Sequence, residues 1–289
     1  MIFDPFRELD LAGWIEKSPD LAQRSFREAV HIVLTAIGSS SALRSRMVMK
    51  GGLLLAIRYD STRFTRDADF STRETYARQG QEEVLRELST QIEVANDRHS
   101  YDTMCRLQSH RLKPPNDDAR FPTLRLNIGY ARRSVQSHLR KLRAGESSTV
   151  VQIDYSFNEA VYDVEVISIG DGEELQAYSL KNLIAEKFRA LLQQPVRSRY
   201  RRQDIYDLYG LLTACAPLSE EEKKSIVRLL IDSCGARGIE ATQTSMRNPQ
   251  VKEMAARDYE SLAAEIEGEL PDFEQAYAYV QAFYEALPW

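Results

Sequence analysis

The apolar positions of this chain change their period once, near the middle. Over residues 20–38, Leu21, Phe26, Ala29, Val30, Ile32, Val33 and Ala36 recur at three- and four-residue steps behind Asp20 or Ser18 as cap. That spacing predicts a helix. Met47-Val48-Met49 is a short apolar run ending at Gly51-Gly52, so it reads as a strand feeding a turn, with a helix at 53–59. Residues 67–71 are the next predicted strand, and Val84, Leu85, Leu88, Ile92 and Ala95 mark a second helix over about 76–95. Residues 124–130 and 151–157 alternate as half-buried strands do, and 162–169 is a third. Residues 114–118 have the Pro, Asn and Asp of a loop. From Ser179 onward the period is 3.6. The pattern predicts an α+β chain: a mixed sheet with flanking helices over residues 1–172, then a helical domain over 173–289.

Composition adds a charge asymmetry. The whole chain of 289 residues has a net charge of -5, which gives no general reason to expect a polyanionic partner. Residues 98–149, however, carry 11 Lys/Arg against 4 Asp/Glu, whereas 216–289 carry 7 against 14. A basic middle allows one face to take a polyanion despite the negative total. Three scattered cysteines suit a reducing compartment and exclude a disulfide framework. Residues 1–5 lack the features of a signal peptide, and the apolar run 29–37 is too short to span a bilayer. A cytoplasmic protein with no membrane partner is expected. The four histidines have no ligand spacing, and no nucleophile elbow is present, so zinc and hydrolase chemistry are not indicated.

The chemistry concentrates in two places. On a strand, Asp67 and Asp69 project from the same side while Ala68 and Phe70 face the core. Two carboxylates so close repel unless a cation lies between them, and Mg²⁺ or Mn²⁺ bound with substrate phosphates would serve. Gly51 and Gly52 allow close backbone approach and offer N–H groups at a helix start, where a triphosphate is favoured. Asp154 shares its strand face with Gln152 and Ser156 and is a candidate third carboxylate.

In the second place, Lys187 falls on the apolar stripe of Leu180, Leu183, Ile184 and Leu191. A lysine there needs an anion. Asp204 lies inward on the following helix, so an antiparallel hairpin would let the two meet. A structural ion pair and a catalytic lysine oriented by a carboxylate both remain open. Between the helices, Arg197, Arg199, Arg201 and Arg202 surround Tyr200, a composition suited to phosphate and base contact.

These residues resemble a known family. Lys50-Gly-Gly-Leu-Leu-Leu with Arg63-Phe-Thr-Arg-Asp67-Ala-Asp69-Phe is similar to the first motif of the AbiEii/AbiGii-type nucleotidyltransferase toxins. That group includes the MenT toxins and belongs to the DNA polymerase beta-like superfamily. Residues 183–190 resemble its lysine motif, and Gln203-Asp204-Ile-Tyr-Asp207-Leu its Arg-Asp-x-Tyr-Asp-Leu segment. Leu53 stands where the family often has Thr or Ser, and Gln203 where it has Arg.

The resemblance implies a polymerase-beta-like core with a helical carboxy-terminal domain that contributes to the active-site cleft. It implies transfer of nucleotides from an NTP, with Mg²⁺, to the 3′ end of tRNA, blocking aminoacylation and growth under the control of a neighbouring antitoxin. The expected catalytic residues are Asp67, Asp69, Lys187 and Asp204. Lys50, Gly51, Gly52, Arg63 and Thr65 would bind the nucleotide. Asp67 and Asp69, with Asp154, would hold metal, and Arg197, Arg199, Arg201, Arg202 and the basic 98–149 stretch would hold RNA. Rival readings are a nucleotidyltransferase acting on a protein or small molecule, and a non-catalytic nucleotide-binding protein of the same fold.

Overall fold

The computed structural model describes residues 8–215 and 217–289, so the reading of residues 1–5 lies outside it. The chain divides into two compact units: a sheet unit (described residues 8–57 and 66–177) and a helical unit (58–65 and 178–289, with residue 216 not described).

The sheet unit begins with helices α1 (Leu11–Glu16), α2 (Leu21–Ser39) and α3 (Ser41–Arg46). Asp20 caps α2, its carboxylate accepting from the Gln23 N–H at 2.8 Å. Then come β1 (Val48–Lys50), α4 (Gly51–Arg58), β2 (Asp67–Ser71), α5 (Arg78–Arg98), β3 (Thr103–Lys113) and β4 (Thr123–Arg132). α6 (Gln136–Arg143), β5 (Val150–Ser156), β6 (Val164–Gly170) and β7 (Glu173–Tyr178) follow. The strands form one mixed sheet in the order β3-β4-β5-β2-β1-β7-β6. β2 runs antiparallel to β1 and parallel to β5, while β3, β4 and β5 form an antiparallel meander.

Strand alternation gives this sheet two unlike faces. Met49, Ala68, Phe70, Leu124, Leu126, Ile153 and Tyr155 are all buried. Helix α2 packs against β3–β6 and against α5. Each large side chain there contributes roughly 1.5–3 kcal/mol by leaving water, so Phe70→Ala would cost about 3–5 kcal/mol with the cavity included. The opposite face carries the intervening polar residues, among them Asp67 and Asp69. Burying one face therefore fixes the register that presents the carboxylates on the other.

The helical unit comprises α7 (Leu180–Arg197), α8 (Arg202–Ala214), α9 (Glu220–Gly235), α10 (Pro249–Ala256) and α11 (Phe273–Glu285). Helix α7 packs against α8, α9 and α10. Ser179 caps α7, Ser219 and Glu222 form a capping box on α9, and Ser198 in the left-handed region (φ 49°) ends α7. Residues 61–65 join this unit through main-chain bonds: the Phe64 N–H donates to the Glu265 carbonyl (2.6 Å) and the Glu267 N–H to that of Thr62 (3.1 Å). Among the described residues, no helix is long and apolar enough to cross a membrane.

The short helices α1 and α3 and three further elements, β3, α6 and β7, have no counterpart in the sequence pattern. β3 is an edge strand with little buried surface, so its residues do not alternate cleanly. α6 has only Leu139 and Leu142 buried, against Ala131 and Met104. β7 lies beyond residue 172 because Gly170-Asp171-Gly172, all at positive φ (101°, 52° and 77°), form a tight turn back into the sheet. The expected helix at 53–59 also starts earlier, at Gly51 itself.

Candidate active site

On the polar face of the sheet, one line of charged residues crosses five strands. Lys50 on β1 pairs in register with Asp69 on β2, Asp69 with Asp154 on β5, Asp154 with Arg125 on β4, and Arg125 with Arg111 on β3. Residues paired in this way share a face and lie ~5 Å apart. A parallel line holds Asp67, Gln152, Asn127 and Ser109. In it, the Gln152 amide donates to Asp67 Oδ1 (2.8 Å) and that of Asn127 to Ser109 Oγ (2.9 Å).

Asp67 and Asp69 thus project together, as strand geometry requires. Burial, then the charge of Asp154, raises the Asp67 carboxyl above its usual range, against the pull of Arg125, Lys113 and the Gln152 hydrogen bond. A bound cation would offset both the burial and the charge of Asp154. Asp154, expected as a third metal ligand, instead has both oxygens engaged by Arg125: Nε donates to Oδ1 (2.7 Å) and a terminal nitrogen to Oδ2 (2.6 Å). Among the described residues, no three His, Cys, Asp or Glu converge to hold a metal by themselves. Two carboxylates completed by substrate phosphates is the arrangement Mg²⁺ commonly takes.

Gly51 is at φ 75°, and a Cβ there would lie 2.2 Å from Asp69 Oδ2 and 2.9 Å from Asp69 Cβ. Glycine is therefore required twice, by its backbone and by the carboxylate it makes room for. Gly52 follows it into the first turn of α4. Lys50, expected to neutralise phosphate, is buried with its ammonium on Glu159 Oε2, which also accepts from Ser71 Oγ (2.8 Å). In this arrangement its charge is shared with a carboxylate of its own unit.

The helical unit holds the second group. The Lys187 ammonium donates to Asp204 Oδ1 (3.0 Å) and to Asp207 Oδ2 (2.6 Å), all three residues being buried. Arg63, expected to bind phosphate, grips Asp207 with two nitrogens (3.0 and 3.1 Å). Burial alone would lower the Lys187 pKa, but Asp207 and Asp204 outweigh it and hold the ammonium above its usual range. Burial likewise acts to raise the Asp207 carboxyl, and Lys187 with Arg63 holds it below the usual range. Asp207 is fully occupied, whereas Asp204 Oδ2 has no hydrogen-bond partner and sits 3.9 Å from Arg201 Nε. Thr65 is half-buried.

The arginine loop divides. Arg197 and Arg199 are exposed. Arg202 is paired with Glu265 (2.6 Å), and Tyr200 lies under the Arg257 guanidinium at 4.1 Å. These two contacts tie the loop to its own unit. His31 and His99, remote in sequence, have ring centroids 4.4 Å apart. Each keeps a nitrogen within hydrogen-bond distance of a hydroxyl, Tyr101 at 2.8 Å and Thr35 at 2.9 Å. Arg125, Glu159 and Asp207 are not singled out by the sequence pattern. Only Asp207 has a local signal, inside the Asp-Ile-Tyr-Asp segment; Arg125 acts through a cross-strand partner, and Glu159 reaches Lys50 and Ser71 from the loop after β5.

Residues 32–279 match the profile described as "Nucleotidyl transferase AbiEii toxin, Type IV TA system". The chain belongs to the AbiEii nucleotidyltransferase toxin family. Both residue groups fall within the matched span. As a member of this family it is a toxin-type nucleotidyltransferase, with an NTP as substrate and an antitoxin as counterpart. The fold is similar to that of a candidate nucleotidyltransferase from H. pylori whose crystal structure is known, with a TM-score of 0.51 at 14% identity over 92% of this chain and 94% of that one. JHP933 from Helicobacter pylori aligns with a TM-score of 0.49 at 15% identity, covering 97% and 93%. No curated protein matches the sequence.

Proposed function

We propose that this AbiEii-family protein transfers a nucleotide from an NTP to RNA in the cytoplasm, with the 3′ end of tRNA as acceptor, so that aminoacylation and growth stop until an antitoxin intervenes. The observation that carries this reading is the pair Asp67 and Asp69, projecting from a buried strand beside a left-handed Gly51. Asp67 and Asp69 would hold a divalent cation, Mg²⁺ or Mn²⁺. When bound, it would offset the charge developing on the phosphorus that is transferred.

The protein's own groups do the rest. The N–H groups of Gly51 and Gly52, at the start of α4, receive phosphate oxygens. Thr65 lies on the segment leading to the carboxylates and contributes to nucleotide binding. Arg125 holds Asp154 in place beside Asp69, setting the local charge. Lys187 contacts the triphosphate, held charged by Asp207 and Asp204, while Asp204 Oδ2 accepts from the acceptor hydroxyl. That hydroxyl oxygen forms the new bond to the α-phosphorus, and pyrophosphate leaves. Arg197 and Arg199 supply exposed contacts to RNA.

The test is to incubate purified protein with Mg²⁺, each α-labelled NTP in turn, and total tRNA. Label is expected on tRNA and absent when the terminal ribose has been oxidised by periodate. Label on protein alone would replace the RNA acceptor with a protein one.

A further inference from the structure

Strand β3 runs along the edge of the sheet, and a bulge alters which of its residues face the carboxylates. Arg106 pairs with Gly129, and Arg111, five residues on, pairs with Arg125. In an unbroken strand, residues five apart face opposite sides. The register shift between Leu107 and Ser109 inserts one residue, so Arg106, Ser109, Arg111 and Lys113 all share the face of Arg125, Asp154 and Asp69. Bulges of this kind re-aim side chains.

Not every cation on that face has a close carboxylate partner. Lys50 has Glu159, and Arg125 has Asp154. The Arg111 and Lys113 side chains have no hydrogen bond or ion pair among the described residues; burial, then the Arg125 and Arg111 charges, lowers the Lys113 pKa, against the pull of Asp154 and Asp67. Beyond Arg106 the basic surface continues onto α6, where Arg140, Lys141 and Arg143 are exposed and the Arg143 carbonyl accepts from Arg106. From Arg106 to Lys113 this strip is ~23 Å long, longer than one triphosphate. It carries no large apolar side chain of the kind that anchors a protein partner. Between the cations lie Ser109, Asn127, Thr123 and Ser156, small polar groups suited to a phosphate backbone.

We infer that Arg111 and Lys113, with Arg106 further out, form a binding track for the phosphate backbone of a single-stranded polynucleotide, leading its end toward Asp67 and Asp69. This rests on the reading of RNA as acceptor and adds where that acceptor lies. The track reads no base sequence, because its contacts go to phosphate.

The test uses the full chain and a double variant, Arg111→Gln with Lys113→Gln, on an exposed edge where folding is readily checked by circular dichroism. Affinity for a fluorescent single-stranded RNA of mixed sequence is measured across a range of salt. The expected result is a fall in affinity of about tenfold or more and a salt slope shallower by about 1.4, or 0.7 for each phosphate no longer neutralised. NTP binding without RNA should not change. Wild-type binding with the same affinity and slope in the variant would overturn this inference alone. A matching loss of NTP binding would overturn it too, by assigning the cations to the triphosphate. Failure of the wild type to bind RNA, while an acidic protein partner is lost on substitution, would give the strip to that partner. A wild type that binds RNA but transfers no label to it would instead overturn the transfer reading and leave the track standing.

Discussion

Gly51 occupies the only kind of position from which Asp69 can keep its place: any β-carbon on residue 51 would lie within 2.2 Å of the Asp69 carboxylate. The contact joins the glycine turn to the strand of the carboxylate pair at one point. Gly51→Ala is therefore expected to displace the carboxylate by rotation of its side chain. A shift of about 1 Å at a reacting centre costs on the order of 10²-fold in rate. The strained φ adds roughly 1 kcal/mol or more of instability, a few degrees in Tm for a chain of this size. Transfer rate and thermal unfolding, measured together, check this; full activity in the variant would contradict it.

Lys187 is expected to matter to folding as well as to transfer. Lys187→Met leaves Asp204 and Asp207 buried without their shared ammonium, at a cost of about 3–5 kcal/mol. Arg63 still holds Asp207, but two buried carboxylates then share one cation fewer, so the deficit should shrink as pH falls and protonation relieves the surplus negative charge. Denaturant unfolding at pH 5 and pH 8 reads the difference. A deficit equal at both values would mean that Arg63 alone stabilises Asp207.

The wild-type network has its own pH limits. Asp207 is held below the usual carboxylate range, so its contribution is present above the unfolded value of ~3.9 and is lost as pH falls past it. Lys187 is held above the usual amine range. Its contribution is present below ~10.4 and is lost only as pH rises beyond the folded value. Stability of the helical unit should be flat between these limits, and unfolding followed from pH 3 to 11 would reveal any loss near neutrality.

Thr65 precedes Asp67 by two residues. A carboxylate at this position adds like charge to the approach of a triphosphate, so Thr65→Glu is expected to weaken NTP binding by about tenfold, or 1.4 kcal/mol. Retention of full affinity, measured by titration with NTP and Mg²⁺, would remove Thr65 from the nucleotide site.

Period and turn chemistry are enough to locate β2, α2, α7 and α8, because each buries one regular face. Two aspartates two apart on a strand must also share a side, so the carboxylate pair is legible without coordinates. Pairing across strands is not. Nothing local links Arg125 to Asp154, Lys50 to Glu159 or His31 to His99, since each pair is brought together by the sheet or by packing. Strand β3 is obscured by its edge position, and β7 because it lies between the last alternating run and the 3.6 period that begins at Ser179, joined by the turn Gly170-Asp171-Gly172. Charge alone points Arg63 and Lys50 to phosphate, and the structure gives both an internal carboxylate.

Nucleotidyl transfer to RNA is proposed to rest on Asp67 and Asp69 above all other residues. The most direct measurement is the α-labelled NTP and tRNA assay run on wild type and on Asp69→Ala, with equal folding verified by circular dichroism. Label on the wild-type reaction's tRNA and its loss in Asp69→Ala, by about 10³-fold or more, is the predicted result. Label that persists in Asp69→Ala would contradict the role given to the carboxylate pair.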